Sequence, residues 1–310
     1  MNKTILITGG AGFIGSNIAK RCINEGYKIV IVDNLLTGNL NNVPEEADFI
    51  NMDISQEDQY MKLSDLEFDA VFHLAAQSSG EISNEKPELD LSINALGTLL
   101  LLRWSMKKKI TRFLYASSMA VYGNVQKVPV SETEVCLPLS FYGISKLTGE
   151  HYVRHFSKEG LNTTCFRMFS VYGPGQDMKN LKQGMVSIFM AHILNGEFIH
   201  VKGSKERFRD FIYIDDVVNA WLKVLNEPKS FGKTYNLGAG KRISVYKLIQ
   251  DELEAFGLPK TYPVKYEGTT PCDQFGLYAD ISELEKDTGW KPEYSLEEGL
   301  SRMSKWVKTL

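Results

Sequence analysis

Apolar positions in the first half of the chain fall into short unbroken runs, separated by stretches in which they recur at helical spacing. Ile5-Leu-Ile7, Ile29-Val-Ile-Val32 and the apolar part of Asp69-Ala-Val-Phe-His-Leu-Ala-Ala76 are too short for helices and rich in β-branched residues. Strands buried on both faces read this way. Residues 47–53, 112–118 and 162–168 add three more predicted strands. Residues 87–109 carry Leu91, Asn94-Ala95, Leu99 and Leu102 at helical spacing, with Pro87 in the opening turn, and 142–158 form a second helical pattern. Strand and helix patterns alternate from residue 4 to residue 168. This predicts an α/β protein, a Rossmann-type doubly wound parallel sheet covered on both faces.

Beyond Tyr172-Gly-Pro-Gly175 the elements shorten and Gly and Pro become more frequent. We read 1–168 as a nucleotide-binding domain and 169–310 as mainly a smaller α/β substrate unit. A helical pattern at 215–226 and the strand-like Thr234-Tyr-Asn-Leu-Gly238 suggest that about 215–240 returns to the main sheet. The two units are then interleaved.

The first strand runs into Gly9, Gly12 and Gly15, and a helix follows. Two glycines at such a turn let the backbone approach a pyrophosphate, and the third lets the helix lie against the strand. The free N–H groups of the helix start then face the phosphates. A purely structural glycine turn is the alternative. The second strand ends in Asp33, eighteen residues beyond Gly15, where a carboxylate can accept both hydroxyls of an adenosine ribose and repel a 2′-phosphate. That favours NAD over NADP, unless Asp33 simply begins a polar loop. Asp53-Ile54 could meet an adenine ring, or be an ordinary strand end. The small residues of Leu74-Ala-Ala76 permit close approach by a cofactor, whereas His73, inside an apolar run, reads as a satisfied core histidine.

Composition narrows the class. The 310 residues, 43% hydrophobic and 24% charged, suit a soluble globular chain with a large core. A net charge of −3 gives no electrostatic case for nucleic acid or an anionic membrane surface. Cys22, Cys136, Cys165 and Cys272 have neither metal-site nor disulfide spacing. No metal is expected, and a reducing compartment fits. The start of the chain leaves no room for a signal peptide and no run approaches a membrane span, so a cytoplasmic protein is expected.

Hydride chemistry needs a base for a substrate hydroxyl. Tyr142-Gly-Ile-Ser-Lys146 places Tyr and Lys one helical turn apart, so the ammonium can favour phenolate and lower the Tyr pKa. This spacing also arises by chance. Its weight comes from Ser117-Ser118 at the carboxyl end of the preceding strand, where ligands bind in such sheets. Asn94 could support Lys146 through water, or be a polar residue that packs helices.

Thr8-Gly-Gly-Ala-Gly-Phe-Ile-Gly15, His73-Leu-Ala-Ala76, Ser117-Ser-Met-Ala-Val-Tyr-Gly123, Tyr142-Gly-Ile-Ser-Lys146, Arg167-Met-Phe-Ser-Val-Tyr-Gly-Pro-Gly175 and Arg209-Asp-Phe-Ile-Tyr-Ile-Asp-Asp216 together resemble the extended short-chain dehydrogenase/reductase family. Within it the chain is most similar to the nucleotide-sugar epimerases of the UDP-glucose 4-epimerase type, nearly to its end at Gly289-Trp-Lys-Pro292. The resemblance implies an NAD-dependent isomerase acting at C4 of a UDP-hexose or UDP-N-acetylhexosamine through a 4-keto sugar. It implies Tyr142 as base, Lys146 as its electrostatic partner and a ligand of the nicotinamide ribose, and Ser118 as the hydroxyl that holds the sugar oxygen. Cofactor contacts are implied at Gly9, Gly12, Phe13, Ile14, Gly15, Asp33, Asn34, Asp53, Ile54, Leu74, Ala75, Ala76 and Asn94, besides Tyr142 and Lys146. Substrate contacts are implied at Ser118, Asn180, Arg209, Asp273 and Leu277. A homodimer through helices at 91–104 and 142–156 is implied as well.

The same triad would serve a nucleotide-sugar reductase, or an epimerase at another carbon or with another nucleotide. A non-catalytic NAD-binding scaffold has no need of it. Family members that dehydrate carry an Asp-Glu pair where this chain has Met119-Ala120, so no acid is poised to expel water. An arginine expected near the diphosphate is missing from Thr270-Pro-Cys-Asp273. Gly276-Leu277 lacks a bulky aromatic where the family sets sugar-pocket size, which would admit an N-acetyl group.

Overall fold

The computed structural model describes residues 3–268 and 274–310. Its centre is a seven-stranded, all-parallel sheet. The first six strands are β1 (Thr4–Thr8), β2 (Lys28–Asp33), β3 (Asp48–Asn51), β4 (Ala70–His73), β5 (Arg112–Ser118) and β6 (Asn162–Met168). They lie in the order 3-2-1-4-5-6, so the chain reverses direction across the sheet between β1 and β4. Helix α1 (Phe13–Asn24) follows β1. After β4 come α2 (Gly80–Glu85), α3 (Pro87–Asp90), a π-helical turn at Leu91–Gly97 and α4 (Thr98–Lys107). The predicted 87–109 helix is thus continuous but rewound in its middle. Helix α5 (Phe141–Lys158) joins β5 to β6.

The second half builds three small ladders. They pair β7 (Ser170–Tyr172) with β10 (Phe211–Tyr213), β8 (Ile199–Lys202) with β13 (Val264–Glu267), and β9 (Phe208–Arg209) with β12 (Ile243–Ser244). Helices α6 (Met185–Leu194), α8 (Val245–Phe256), α9 (Ser282–Thr288) and α10 (Leu296–Val307) accompany them. Between these pieces, α7 (Ile214–Leu225) packs on α1, and β11 (Lys233–Leu237) adds itself to β6 as the seventh strand.

One apolar core runs from Ile5 and Ile31 through Trp221 and Tyr235 to Leu300 and Val307, spanning both halves. A second, on the other face of the sheet, gathers Leu6, Val71, Leu101 and Phe113. The inner strands are buried on both faces because each face meets helices, which is why β1, β2 and β4 run apolar without alternation, whereas the edge strand β3 is partly exposed. Among the described residues no helix is long and apolar enough to cross a membrane.

Candidate functional site

The carboxyl ends of the strands open into a cavity of about 1490 Å³. A site for one small ligand is commonly 300–1,000 Å³, so this space suits two large ligands side by side. The turn after β1 forms one wall, with Gly9, Gly12, Phe13, Ile14 and Gly15 lining it. Gly9 has φ +73, and a Cβ there would stand 2.6 Å from the Ala75 nitrogen. Only glycine lets β1 and the small residues after β4 meet so closely. Gly12 caps α1 without a side-chain bond, and the first turn carries no acid. Its amide groups are left for an anion.

Asp33 ends β2 at the cavity edge, its Oδ2 accepting from the Ala11 N–H (3.1 Å) and its Oδ1 from the Leu35 N–H (2.9 Å). Burial pushes its pKa up, and these two bonds oppose the shift. A carboxylate fixed in this way keeps lone pairs for ribose hydroxyls. Asn34 Nδ2 donates to Asp53 Oδ2 (3.2 Å), and Ser55 donates twice to Asp53 Oδ1. Asn34, Asp53, Ile54, Leu74, Ala75 and Ala76 all line the cavity. An uncapped helix start, a fixed ribose acceptor and a wall of small residues fit a dinucleotide. His73 lies behind this wall between the Thr8 (2.8 Å) and Thr98 (2.9 Å) hydroxyls. Burial, then the charge of Lys146, lowers its pKa to about 3, so it is a neutral core residue.

Ser118, Tyr142 and Lys146 face the same cavity. Ser118 Oγ accepts from the Ala120 N–H (3.2 Å), capping the short turn Met119–Val121, and the hydroxyl is near enough to the Tyr142 phenol to lower its pKa. The start of α5 reaches this turn because residue 143 is glycine; a Cβ there would lie 2.6 Å from the Ala120 oxygen. Lys146 Nζ donates to the Ala116 carbonyl (2.9 Å) and lies 6.0 Å from the centre of the Tyr142 ring.

The electrostatics correct the sequence expectation. Burial pushes Tyr142 up to about 12, the Ser118 hydroxyl opposing it and the Asp90 charge adding to it. Burial pulls Lys146 down to about 7 against the field of Asp90. Desolvation dominates both groups and outweighs the pairing that the helical spacing suggests.

Other expected residues divide. Asn180 and Arg209 line the cavity, Asn180 Oδ1 also accepting from the Lys182 N–H (3.0 Å). Asn94 does not line it: its Nδ2 donates to Gln77 O, Asp90 Oδ1 and Ser145 Oγ, and its Oδ1 accepts from the Gln77 N–H. The helix-packing alternative is the one the contacts favour. Leu277 is fully buried among Val121, Tyr122, Val130 and Phe169 and does not line the cavity either. Gly276 leaves no gap, because the Phe208 ring would lie 2.5 Å from a Cβ there. Asp273 lies outside the described residues.

Sequence reasoning missed a buried network behind Ser118. Arg167 grips Glu150 through Nε (3.0 Å) and Nη2 (2.8 Å), and Ser117 Oγ donates to the same carboxylate. Arg167 could have been found as a charge inside an apolar strand run. No potential metal cluster occurs among the described residues.

The family model described as NAD dependent epimerase/dehydratase family matches residues 5–238. A UDP-glucose 4-epimerase from Thermotoga maritima, solved with UDP-glucose, superposes with a TM-score of 0.94 at 36% identity, covering 99% of both chains. A UDP-N-acetylglucosamine 4-epimerase from Methanobrevibacter ruminantium, solved with UDP-N-acetylmuramic acid, gives 0.91 at 31% identity over 99% of both chains. The Thermus thermophilus UDP-glucose 4-epimerase in complex with NAD gives 0.91 at 29% identity, covering 98% of this chain and 99% of that one. With a family match across the strands that build the cavity and likeness over nearly the whole length, this chain belongs to the NAD-dependent epimerase/dehydratase family.

Proposed function

We propose that the protein is an NAD-dependent 4-epimerase of UDP-hexoses or UDP-N-acetylhexosamines. The observation that carries the reading is that Ser118, Tyr142 and Lys146 open into the same cavity as the glycine turn and Asp33. Bound NAD supplies a group that can take a hydride from the sugar and return it. Ser118 holds the C4 hydroxyl, and Tyr142 removes and later returns its proton, passing through a 4-keto sugar. Lys146 holds positive charge beside the phenol and reaches the nicotinamide ribose. Met119 and Ala120, where a dehydratase needs acids, cannot protonate a leaving hydroxyl, so the keto sugar keeps its substituents. Lys179, Lys202, Arg207 and Arg209 line the cavity on the side of Asp177, while Lys182 there is paired with Glu81 and Glu85; the other four cations support an anionic nucleotide sugar. Asn180 and Arg209 are its proposed contacts. The cavity volume supports rotation of the keto sugar without release.

We also read the protein as cytoplasmic and as a homodimer. Leu91, Leu96, Phe141 and Ile144 are exposed apolar residues on the π turn and α5, a surface suited to an isologous contact. The function is tested by incubating the protein and NAD with UDP-glucose, UDP-galactose and their N-acetylated counterparts, and following the anomeric protons by NMR. Either member of a pair should yield the same mixture without net NADH. Stoichiometric NADH, or no conversion of any of them, would refute the reading.

A further inference from the structure

The π turn at Leu91–Gly97 packs against α5, the helix of Tyr142 and Lys146. Such turns are rare and occur frequently at functional sites. Here the turn begins one residue after Asp90, an acid only 1% exposed. Asp90 Oδ1 accepts from Asn94 Nδ2 (2.9 Å) and Gln77 Nε2 (3.2 Å). Oδ2 is equally buried, and the Ser83 hydroxyl of α2 faces it without closing a hydrogen bond of normal geometry. The clamp extends to the catalytic helix: Asn94 Nδ2 donates to Ser145 Oγ (3.0 Å), and Ser145 Oγ donates to the Tyr142 carbonyl (2.9 Å).

A carboxylate left half-satisfied in the interior is costly unless a charge compensates it. Burial raises the Asp90 pKa, and its Ser83 and Gln77 contacts and the charge of Lys146, itself 3% exposed, oppose that rise; the field of Asp90 in turn favours the ammonium form of Lys146. We propose that Asp90 is a positioning residue of the catalytic pair: through Asn94 and Ser145 its buried carboxylate is clamped to the helix of Tyr142 and Lys146, where its negative charge favours the ammonium over the neutral amine.

The surroundings leave this role to Asp90. His73 is neutral, and the Tyr115 ring lies 5.2 Å from Lys146 Nζ. Glu150, one turn further along α5, is closed by Arg167 and Ser117. On α2, Glu81 and Glu85 stand at the cavity mouth and pair with Lys182. Lys86 and Glu88, beside Asp90 in sequence, are exposed.

The kinetic arm of the test rests on the epimerase reading; the titration arm does not. The ionisation of Lys146 is followed by the pH dependence of its acetylation, read by mass spectrometry, in wild type, Asp90→Asn and Asp90→Glu. An acid close to both groups raises both pKa values, so neutralising it should move the Lys146 midpoint down by about one pH unit. Both limbs of the kcat–pH profile should move down with it, whereas Asp90→Glu should stay near wild type. If Asp90→Asn does not fold, the wild-type chain still decides the matter: the Asp90 carboxyl carbon must show an NMR step at the pH where Lys146 titrates. An unmoved midpoint, or no such step, overturns the proposal whether or not the protein epimerises. A moved midpoint in a wild-type protein inert towards all four sugars would uphold it and sink the epimerase reading.

Discussion

Replacing Lys146 by methionine should abolish epimerisation and at the same time stabilise the NAD-free protein. Lys146 is 3% exposed, and burial takes its pKa from 10.5 to about 7. At pH 6 the lysine is charged in the folded and unfolded states alike, so the native state bears the whole penalty, on the order of 4–5 kcal/mol. Methionine has a similar length and no charge, but it leaves the Ala116 carbonyl without its donor, a loss of roughly 1–2 kcal/mol. The loss of the favourable Asp90 field is already contained in the net shift of the lysine, to which it contributes. The balance is a gain of about 3 kcal/mol, or a Tm higher by about 5 °C in a chain of this length. The pH dependence fixes the sign. Between pH 7 and 10.5 the native lysine is already neutral while the unfolded chain still binds the proton, so wild-type stability climbs with pH and the advantage of methionine shrinks. Above 10.5 only the lost interactions remain, and the variant should be the less stable protein. Urea unfolding at pH 6, 8 and 10, without added NAD, checks this. A variant less stable at pH 6, or a difference that does not vary with pH, would show that Lys146 is not held against its charge.

Tyr142→Phe should leave fold and NAD binding intact and lower kcat by about 10²–10⁴-fold; a loss below about tenfold, in steady-state assay, would remove Tyr142 as the base. Asp33→Asn should weaken NAD and narrow its advantage over NADP, because the ribose acceptor and the repulsion of a 2′-phosphate go together; fluorescence titration of both dinucleotides reads the ratio. Ile144→Glu, on the exposed face of α5, should shift sedimentation towards a 35.0 kDa monomer without unfolding the chain; an unchanged dimer would place the interface elsewhere. Leu277→Tyr should lower stability by about 1–3 kcal/mol through overpacking, leaving the ratio of kcat/KM for N-acetylated and plain sugars unchanged; a selective loss of the N-acetylated activity would instead put Leu277 at the sugar.

Where one strong local signal decides a structure, the sequence could be read directly. Predicted strands at 112–118 and 162–168 coincide with β5 and β6 to the residue, although both carry polar side chains, because burial on both faces holds even Arg112 and Arg167 inside. His73 sits, as its apolar run suggested, between two threonine hydroxyls. Spacing was less informative once several elements converge. It placed Asn94 on a helix, yet only the π turn, visible through its neighbours Gln77 and Ser145, decides where the amide points. The family resemblance implied Leu277 near the pocket, but Val121, Phe169 and the Phe208 ring, distant in sequence, settle what that stretch touches.

The Tyr142–Lys146 pair shows why this limit is physical. Periodicity fixes which side chains share a helix face, and so predicts that a cation stands beside a phenol. It contains nothing about water. The ring of Tyr115, the neutral His73 and the strand beneath them exclude solvent around Lys146. Exclusion is what carries Tyr142 up to about 12 and Lys146 down to about 7, against the order that pairing alone would give. A base that must act at neutral pH from such a site depends on charge brought or held nearby. That requirement makes the buried acid at position 90, silent in the motif pattern, the residue on which the pair's behaviour should turn.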